Sequence, residues 1–147
     1  GFWIGGLADM HSEREPPLVS GALRDVPDDA PVLLLTHWPD PFADVPGRVA
    51  LTLAGHTHCG QVVLPAVGRL VHASAASERW PCGLYDEGGR KLFVTAGVGV
   101  SILPVRFRAP PEIVVLTLTA PVDPAAPCPR YRAERRGHVP APAFSRA

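Results

Sequence analysis

The sequence predicts a layered α/β domain with many short strands and few helices. Short apolar runs alternate with Pro, Gly and Asp along most of the chain. Two runs, Val32–Leu35 and Val49–Ala54, are almost wholly apolar, which is typical of strands buried on both faces. Apolar residues recur at helical spacing over residues 18–26. Since helices between the strands are few, a layered α/β or α+β arrangement is favoured over a regular Rossmann repeat.

The remaining elements follow from the same patterns, in chain order. Pro16-Pro17 suit the first turn of the short helix. Gly88-Gly89 mark a tight turn between two apolar runs, which is the signal of a β-hairpin. The predicted strands are residues 2–7, 32–35, 49–54, the pair 61–64 and 69–72, the hairpin 84–86 and 91–96, and residues 112–119.

Charge and hydropathy exclude two broad classes of protein. The 14 basic and 14 acidic residues cancel, so no nucleic acid is evident as a partner. The longest strongly apolar run, residues 92–105, contains Gly97, Gly99 and Pro104 and is shorter than the roughly 20 residues that a transmembrane helix needs. We find neither a transmembrane segment nor a signal peptide in this sequence.

The cysteines and the first residues bear on where the protein works. Cys59, Cys82 and Cys128 are odd in number and widely spaced, which fits neither a disulfide framework nor a Cys-x-x-Cys metal site. A reducing compartment is the expectation. The chain starts directly in a strand-like run at Gly1, without an initiator methionine, which indicates a piece of a longer protein.

Composition divides the chain at residue 119. Residues 1–119 carry the apolar patterning and are predicted to form the folded part. Residues 120–147 are a Pro/Ala/Arg-rich tail without a repeating apolar face, which we expect to be disordered. An interaction arm is the alternative for this tail.

Three of the six histidines follow buried strands. His37 comes after Val32–Leu35, and His56 and His58 come after Val49–Ala54. Ligands bind at the carboxyl ends of strands in layered α/β folds. If residues 56–58 are extended, His56 and His58 point to the same side and reach either one metal ion or two adjacent ions. Imidazole ligands favour zinc, iron or manganese over calcium. A lone histidine after a strand is more often a hydrogen-bonded loop residue, but the combination is specific.

The segments around these histidines resemble a known family. Leu34-Leu35-Thr36-His37-Trp38-Pro39-Asp40 and Gly55-His56-Thr57-His58-Cys59-Gly60-Gln61 are similar to the last two metal motifs of the calcineurin-like metallophosphoesterases, in a bacterial branch that is often membrane-anchored. Weaker similarities lie at residues 4–9, 98–101, 104–107 and 110–113. The resemblance covers roughly residues 2–118.

The resemblance implies a fold, a reaction and a set of ligands. The fold is a sandwich of two packed β-sheets flanked by helices, of which residues 1–119 form the C-terminal half. The reaction is hydrolysis of a phosphomonoester, phosphodiester or pyrophosphate bond by two divalent metal ions (Mn, Fe or Zn). His37 and His56 would bind the second metal and His58 the first. The implied substrate is a phosphorylated small molecule or a lipid-like compound. The location is left open between the cytoplasm and a membrane of a bacterium.

The earlier motifs of the family are missing from this sequence. Asp9-Met10-His11 is an Asp-x-His and Asp25-Val26-Pro27-Asp28 an Asp-x-x-Asp, but the second lacks its glycine and follows too closely for an intervening strand, helix and strand. There is no Gly-Asn-His. We therefore reject this assignment, name no catalytic residue, and expect the N-terminal half of the domain to be the missing partner. The fragment alone should be inactive.

Several other residues keep two interpretations each. Gln61 donates either to a phosphate or within a turn. Arg106 and Arg108 alternate with apolar residues, which favours a half-buried strand over a phosphate clamp. Core packing is favoured over a substrate groove for Trp38 and Trp80.

Non-functional roles are favoured for the remaining histidines and for one cysteine. Loop, structural or solvated roles are favoured for His11, His72 and His138, with substrate contact left open for His11. Cys59 is interpreted as a small filler, with oxidation or adventitious metal capture as the alternative.

Two further hypotheses stay open beside the hydrolase. One is a non-catalytic metal-binding remnant or pseudoenzyme that keeps the three histidines. The other is a structural fragment without metal. Three nitrogen ligands can support a mononuclear zinc site, although the family places these histidines on two different ions.

Overall fold

The computed structural model describes residues 1–13, 16–70, 72, 74–119 and 131–135. The strands run in the order β1 (Trp3–Gly6), β2 (Val32–Leu35), β3 (Val49–Ala54), β4 (Val63–Leu64), β5 (Gly68–Arg69), β6 (Gly83–Glu87), β7 (Arg90–Val94), β8 (Val114–Leu118) and β9 (Tyr131–Arg135). Two α-helices in this part are α1 (Val19–Ala22) and α2 (Ala75–Arg79), and 3-10 turns span Asp40–Asp44 and His58–Gly60.

A mixed sheet is the centre of the described structure. Within the described residues it has five strands in the order β1-β2-β3-β7-β6. β1, β2, β3 and β7 are parallel, and β6 pairs antiparallel with β7 through the predicted hairpin. Because parallel neighbours end at the same edge, the loops that follow β2 and β3 lie side by side.

The core lies on one face of this sheet. Val32 and Leu34 of β2 pack with Val49 of β3 and with Val94 and Leu92 of β7. Helix α1 and the residues after it cover them through Val19, Leu23 and Val26, and the rings of Phe42 and Trp80 complete the cluster. Burying side chains of this size stabilises the fold by roughly 1.5–3 kcal/mol each.

The opposite face is less covered in the described part of the chain. On this face Leu35 of β2 is 41% exposed, and Ile4 of β1, which pairs with Leu33, is 61% exposed. The prediction that β2 is buried on both faces is therefore wrong for these residues. An apolar run predicts a strand, but what covers each face depends on residues distant in sequence.

Smaller elements differ from the predictions in length. The helix predicted over residues 18–26 is one turn. Val19, Leu23 and Val26 reach the core, whereas Leu18 is exposed. The predicted strand pair near residues 61–72 shrinks to β4 and β5. Residues 105–108 form no strand in the described structure beyond an isolated bridge between Val62 and Phe107.

The predicted tail falls mostly outside the described residues, including Cys128 and His138. Within it the structure has β9, which pairs antiparallel with β8. The expectation of disorder for residues 120–147 stays a prediction. The sequence of β9 alternates Tyr131 and Ala133 with Arg132 and Glu134, a short run that stands alone in a Pro/Ala/Arg-rich segment.

None of the helices in the described part of the chain has the length and apolarity that crossing a bilayer requires.

Candidate metal centre

The histidine loops meet at the carboxyl edge of the sheet. Leu35 of β2 pairs with Leu53 of β3, so His37 and His56 leave neighbouring strands at the same level. The backbone N–H of Gly55 donates to the carbonyl oxygen of His37 at 3.0 Å, which ties the two loops together. The strand-end prediction thus places both histidines at one edge.

His37 and His56 face each other directly. Nε2 of His37 lies 2.9 Å from Nδ1 of His56, and the ring centroids are 4.9 Å apart. One nitrogen donates a proton to the other in this arrangement. Two nitrogens at this separation can also both contact one metal ion at the usual distance of about 2.0–2.1 Å. The pair therefore fits a divalent transition metal as two of its ligands.

Trp38 and Asp9 contact the two histidines of this pair. The indole ring of Trp38 stacks on His56 with centroids 3.3 Å apart, and its N–H donates to Oδ2 of Asp9 at 3.1 Å. The same carboxylate oxygen lies 3.7 Å from Nδ1 of His37. A carboxylate near the second nitrogen of a metal-binding histidine orients the ring and favours one tautomer.

Asp9 is a site residue that the sequence argument missed. The sequence argument rejects it as part of an Asp-x-His motif, whereas the structure places it beside the histidine pair, in the loop after β1. A hydrogen bond from the backbone N–H of His11 is the largest cause that lowers the pKa of this carboxyl. The signal available in the sequence was position: Asp9 also follows a strand of the sheet.

His58 does not join the pair in the way that the sequence predicted. The segment is not extended, because His56, His58, Cys59 and Gln61 all have positive φ, between 48° and 65°. Non-glycine residues in this region are uncommon and concentrate at functional sites. The expected common side for His56 and His58 is therefore replaced by a tight turn. Nδ1 of His58 lies 3.3 Å from Nη2 of Arg106.

The structure favours the neutral form of both His56 and His58. Burial is the largest cause that lowers the pKa of His56, followed by the charges of His37 and His58. Burial also lowers the pKa of His58, and the positive charge of Arg106 lowers it further. The neutral imidazole is the form that binds a metal ion.

A disulfide bond anchors the same turn. Cys59 is joined to Cys82 across 23 residues, with Cα atoms 5.1 Å apart. The prediction that the cysteines form no disulfide is wrong, and so is the interpretation of Cys59 as a small filler. Spacing rules find cysteines that are close in sequence, whereas these two meet because the turn after β3 packs against the segment before β6. The expectation of a reducing compartment loses its basis.

Gly60 allows this turn to pack closely. Its φ is +76°, and a Cβ there would lie 2.8 Å from Cγ and Cδ of Arg69. The Nε of Arg69 donates to the carbonyl oxygen of Cys59 at 3.1 Å, which brings the Arg69 side chain against the turn. A larger residue would push that side chain away.

Gln61 connects the turn after β3 to the loop at residues 101–103 through hydrogen bonds. Its amide oxygen accepts from the backbone N–H of Ser101 at 2.7 Å, and its amide nitrogen donates to the carbonyl oxygens of Ser101 and Leu103 at 3.0 and 2.7 Å. The turn interpretation of Gln61 is thus the one that the structure supports. A cavity of about 160 Å³ lies between turn and loop, lined by residues that include His56, His58, Val62, Ile102 and Leu103.

The other residues singled out from the sequence lie as follows. Trp38 and Trp80 are buried, as the core interpretation predicted. His11 packs edge-on against Trp38 with centroids 5.1 Å apart, at the margin of the site. His72 is exposed, and so is Arg108. Arg106 belongs to neither predicted category, because its guanidinium contacts backbone carbonyls.

The donor set in the described part of the chain is incomplete as a metal site. No three His, Cys, Asp or Glu side chains come together there as a metal-binding group. The His37–His56 pair contributes two nitrogens, whereas protein metal sites generally use three or more ligands. The described residues therefore fit part of a metal centre rather than the whole of one.

Comparison with known proteins gives a consistent set of relatives. The chain is 38% identical over 105 residues to the uncharacterized metallophosphoesterase YkuE of Bacillus subtilis (strain 168), covering 69% of this chain and 36% of that protein. It is 35% identical over 121 residues to the phosphodiesterase YaeI of Escherichia coli (strain K12), covering 80% of this chain and 41% of that protein. It is also 32% identical over 124 residues to an uncharacterized metallophosphoesterase of Helicobacter pylori (strain J99), covering 80% of this chain and 32% of that protein.

The chain spans less than half the length of these relatives. No protein-family model matches it. No solved structure matches it either.

Proposed function

Because the chain belongs to the calcineurin-like metallophosphoesterases, we propose that it supplies the C-terminal half of a two-metal phosphoesterase. The bond hydrolysed is a phosphomonoester, phosphodiester or pyrophosphate bond. The five-stranded sheet would be one layer of a two-sheet sandwich, completed by an N-terminal half of the same domain.

The observation that carries this proposal is the His37–His56 pair. Two ring nitrogens 2.9 Å apart, on loops that follow adjacent parallel strands, fit one metal ion. His58 leaves the same turn in another direction, toward Arg106, as expected if it serves the other ion. When bound, two divalent ions supply Lewis-acid activation of the phosphate ester and of the attacking water.

The roles of this chain's own residues follow from their contacts. His37 and His56 hold one metal, and His58 holds the other. Trp38 orients His56 by stacking, and Asp9 orients His37 through the second ring nitrogen. Burial keeps His56 and His58 neutral through a lowered pKa, so both are ready to bind metal.

Substrate class is also proposed. The chain has no net charge, which disfavours nucleic acid and leaves a phosphorylated small molecule or a lipid-like phosphate ester. A cavity of about 160 Å³ between the turn and the loop at Ile102 and Leu103 adjoins His56 and His58. Membrane association of the whole protein remains part of the proposal.

A second candidate function is a non-catalytic metal-binding remnant. It is favoured by one observation: in the described residues only two potential ligands converge. A chain that keeps these histidines without the remaining ligands would bind metal weakly and hydrolyse nothing.

Hydrolysis of an aryl phosphodiester in the presence of Mn²⁺ tests the proposal. The assay compares residues 1–147 with the full native reading frame that contains them. We expect turnover from the full protein, its loss in His56→Ala, and no change in His72→Ala, a matched control at an exposed histidine. We expect background activity from residues 1–147 alone.

Two results would contradict it. A full protein that binds metal without hydrolysis supports the second candidate. Turnover by residues 1–147 alone, abolished by His58→Ala, would show that no N-terminal half is needed.

A further inference from the structure

The loop after β7 exposes an uncharged apolar surface beside the turn after β3. Its residues 98–105, called the apolar loop below, carry no charged side chain. Their large apolar side chains are between 47% and 95% exposed: Val98, Val100, Ile102, Leu103 and Val105. Contiguous exposed apolar surface is uncommon and marks a site that binds a protein, a membrane or a ligand.

Gln61 holds the apolar loop in a defined conformation. Its side-chain amide makes hydrogen bonds to the backbone of Ser101 and Leu103, on both sides of Ile102. Ile102 has a φ of 63°, which is rare for a β-branched residue. Such strain persists where the surrounding structure imposes it, and it concentrates at binding sites. The exposure of these apolar side chains is therefore a fixed property of the loop.

The apolar loop leaves the sheet at the same edge as the histidines. β7 ends at Val94, opposite Ala54 of the parallel strand β3. The cavity of about 160 Å³ is lined by His58 of the turn after β3 and by Ile102 and Leu103 of the apolar loop. A molecule that occupies this cavity contacts both segments.

The open face of the sheet is a different surface. It carries the exposed side chains of Ile4 and Leu35, and a second sheet of the proposed sandwich would pack there. The apolar loop extends from the carboxyl edge, where ligands bind in layered α/β folds. Its position therefore favours a bound ligand over the N-terminal half of the domain as the partner of this loop.

The two sides of the cavity have different chemistry. On one side the histidines are proposed to hold the metal ions that bind the phosphate of an ester. On the other side the hydroxyl of Ser101 is the only polar side-chain group of the apolar loop, and the amide of Gln61 already binds the loop backbone. No side-chain amide or charge of the apolar loop is offered to a sugar or a nucleobase, whereas an alkyl chain gains free energy by leaving water there.

We infer that the apolar loop is a subsite for the alkyl or acyl chain of an amphiphilic phosphate ester whose phosphate lies at the histidines. This inference rests on the proposed function, and it selects the lipid-like ester over the small polar one. Ile102 and Leu103 are the residues that determine this specificity. Each CH₂ group buried on them should strengthen binding by up to about fourfold.

Hydrolysis of two phosphodiesters, methyl and octyl p-nitrophenyl phosphate, tests the preference for an alkyl chain. The enzyme is the full native reading frame with Mn²⁺. We expect a KM about tenfold lower for the octyl ester than for the methyl ester, at similar kcat. Ile102→Ser/Leu103→Ser should abolish this difference by raising KM for the octyl ester alone. Val67→Ser, at an exposed side chain between β4 and β5, is the control and should change neither value. Equal KM values for the two esters in the wild-type protein would overturn the inference.

Binding of octyl phosphate without metal separates this inference from the proposed function. The isoleucines of residues 1–147 are Ile4, Ile102 and Ile113, and all three are exposed. In the full protein, with labelled isoleucine methyl groups, Ile→Leu variants at these positions identify their signals. Octyl phosphate below its micelle concentration should shift the signal of Ile102 and leave Ile4 and Ile113 unchanged, and ethyl phosphate should shift none of them.

The combined results decide between the two proposals. A shift of Ile102 alone, in a protein that hydrolyses neither ester, supports the subsite and contradicts the proposed function. Hydrolysis of both esters with equal KM supports the proposed function and contradicts the subsite. Equal shifts of all three isoleucines would show general adsorption of alkyl chains and would overturn the subsite.

Two other occupants of the apolar loop predict different results in the same samples. If the N-terminal half covers the loop, a soluble paramagnetic agent will leave the Ile102 signal sharp. If the loop contacts a membrane, neutral phosphatidylcholine vesicles will bind the wild-type protein but not Ile102→Ser/Leu103→Ser, and the two KM values will be equal. Either result overturns the subsite.

Discussion

The histidine pair and His58 come from the same edge of the sheet but are held by different means. His37 and His56 are oriented by side chains, the indole of Trp38 and the carboxylate of Asp9. His58 is surrounded by backbone carbonyls that Arg106 gathers, and its neighbour Cys59 is bonded to a distant cysteine. The pair is therefore oriented by the side chains of Trp38 and Asp9, whereas His58 is held by backbone carbonyls and through the disulfide of its neighbour.

This difference predicts that the two parts of the site can be disturbed separately. Changes in the turn after β3 or in its disulfide should reach His58 first. Changes at Trp38 should reach His37 and His56 first.

Reduction of the disulfide should have the largest effect on stability. In a Cys128→Ser background, opening a loop of 23 residues should lower the free energy of unfolding by about 3 kcal/mol, because the unfolded chain regains loop entropy. Urea denaturation with and without reductant measures it. The double variant Cys59→Ser/Cys82→Ser should be insensitive to reductant. Equal stability of the oxidised and reduced chains would contradict the bond or its importance.

Gly60→Ala should have the next largest effect. The added Cβ meets Arg69 at 2.8 Å in a backbone of φ +76°, and such strain costs about 1–3 kcal/mol. Ring signals of His58 should shift more than those of His37. Gly47→Ala is the control, because no atom lies within 4 Å of the added Cβ. If the two variants unfold at the same urea concentration, the turn is looser than described.

Trp38→Phe tests how the His37–His56 pair is held. It keeps an aromatic ring on His56 but removes the N–H that donates to Asp9, which should lower the free energy of unfolding by about 1 kcal/mol. Trp80→Phe removes a similar indole hydrogen bond, to Glu87, and should cost about as much. Only Trp38→Phe should move the ring signals of His37. A shift of those signals in both variants would contradict a local role for Trp38.

The pH dependence of stability should be the smallest effect. The pKa values of His56 and His58 are lowered in the folded chain, first by burial. Near and below the ordinary histidine pKa of about 6.5, the unfolded chain therefore binds more protons than the folded one. The free energy of unfolding should be highest above this pH and should decrease as the pH falls below it.

Urea denaturation between pH 5 and 8 measures how the free energy of unfolding changes with pH. Asp9 and Asp86, whose pKa values are lowered, titrate below this range. The slope should shrink in His56→Gln/His58→Gln. An unchanged slope in that double variant would assign the dependence to other groups.

The sequence predicted those parts of the fold whose cause is local. β2, β3 and the hairpin of β6 and β7 follow from apolar runs and a Gly-Gly turn, and the closeness of His37 and His56 follows from adjacent parallel strands. The metal roles of these histidines stay predictions.

What the sequence did not predict arises from contacts between distant residues. Arg106 binds carbonyl oxygens, which every residue carries, so no residue pattern signals its partners. The Cys59–Cys82 bond has no spacing rule. The exposed face of β2 depends on what covers the sheet, which an apolar run alone does not specify.

The outer side of β1 has a practical consequence for handling this chain. β1 is an edge strand of the described sheet, and its residues Trp3 and Ile4 are exposed, as is Phe2 just before it. An apolar edge with unpaired backbone groups is a template for aggregation. Produced by itself, the chain should be sparingly soluble, and co-expression with a segment that adds a strand to this edge should raise its solubility.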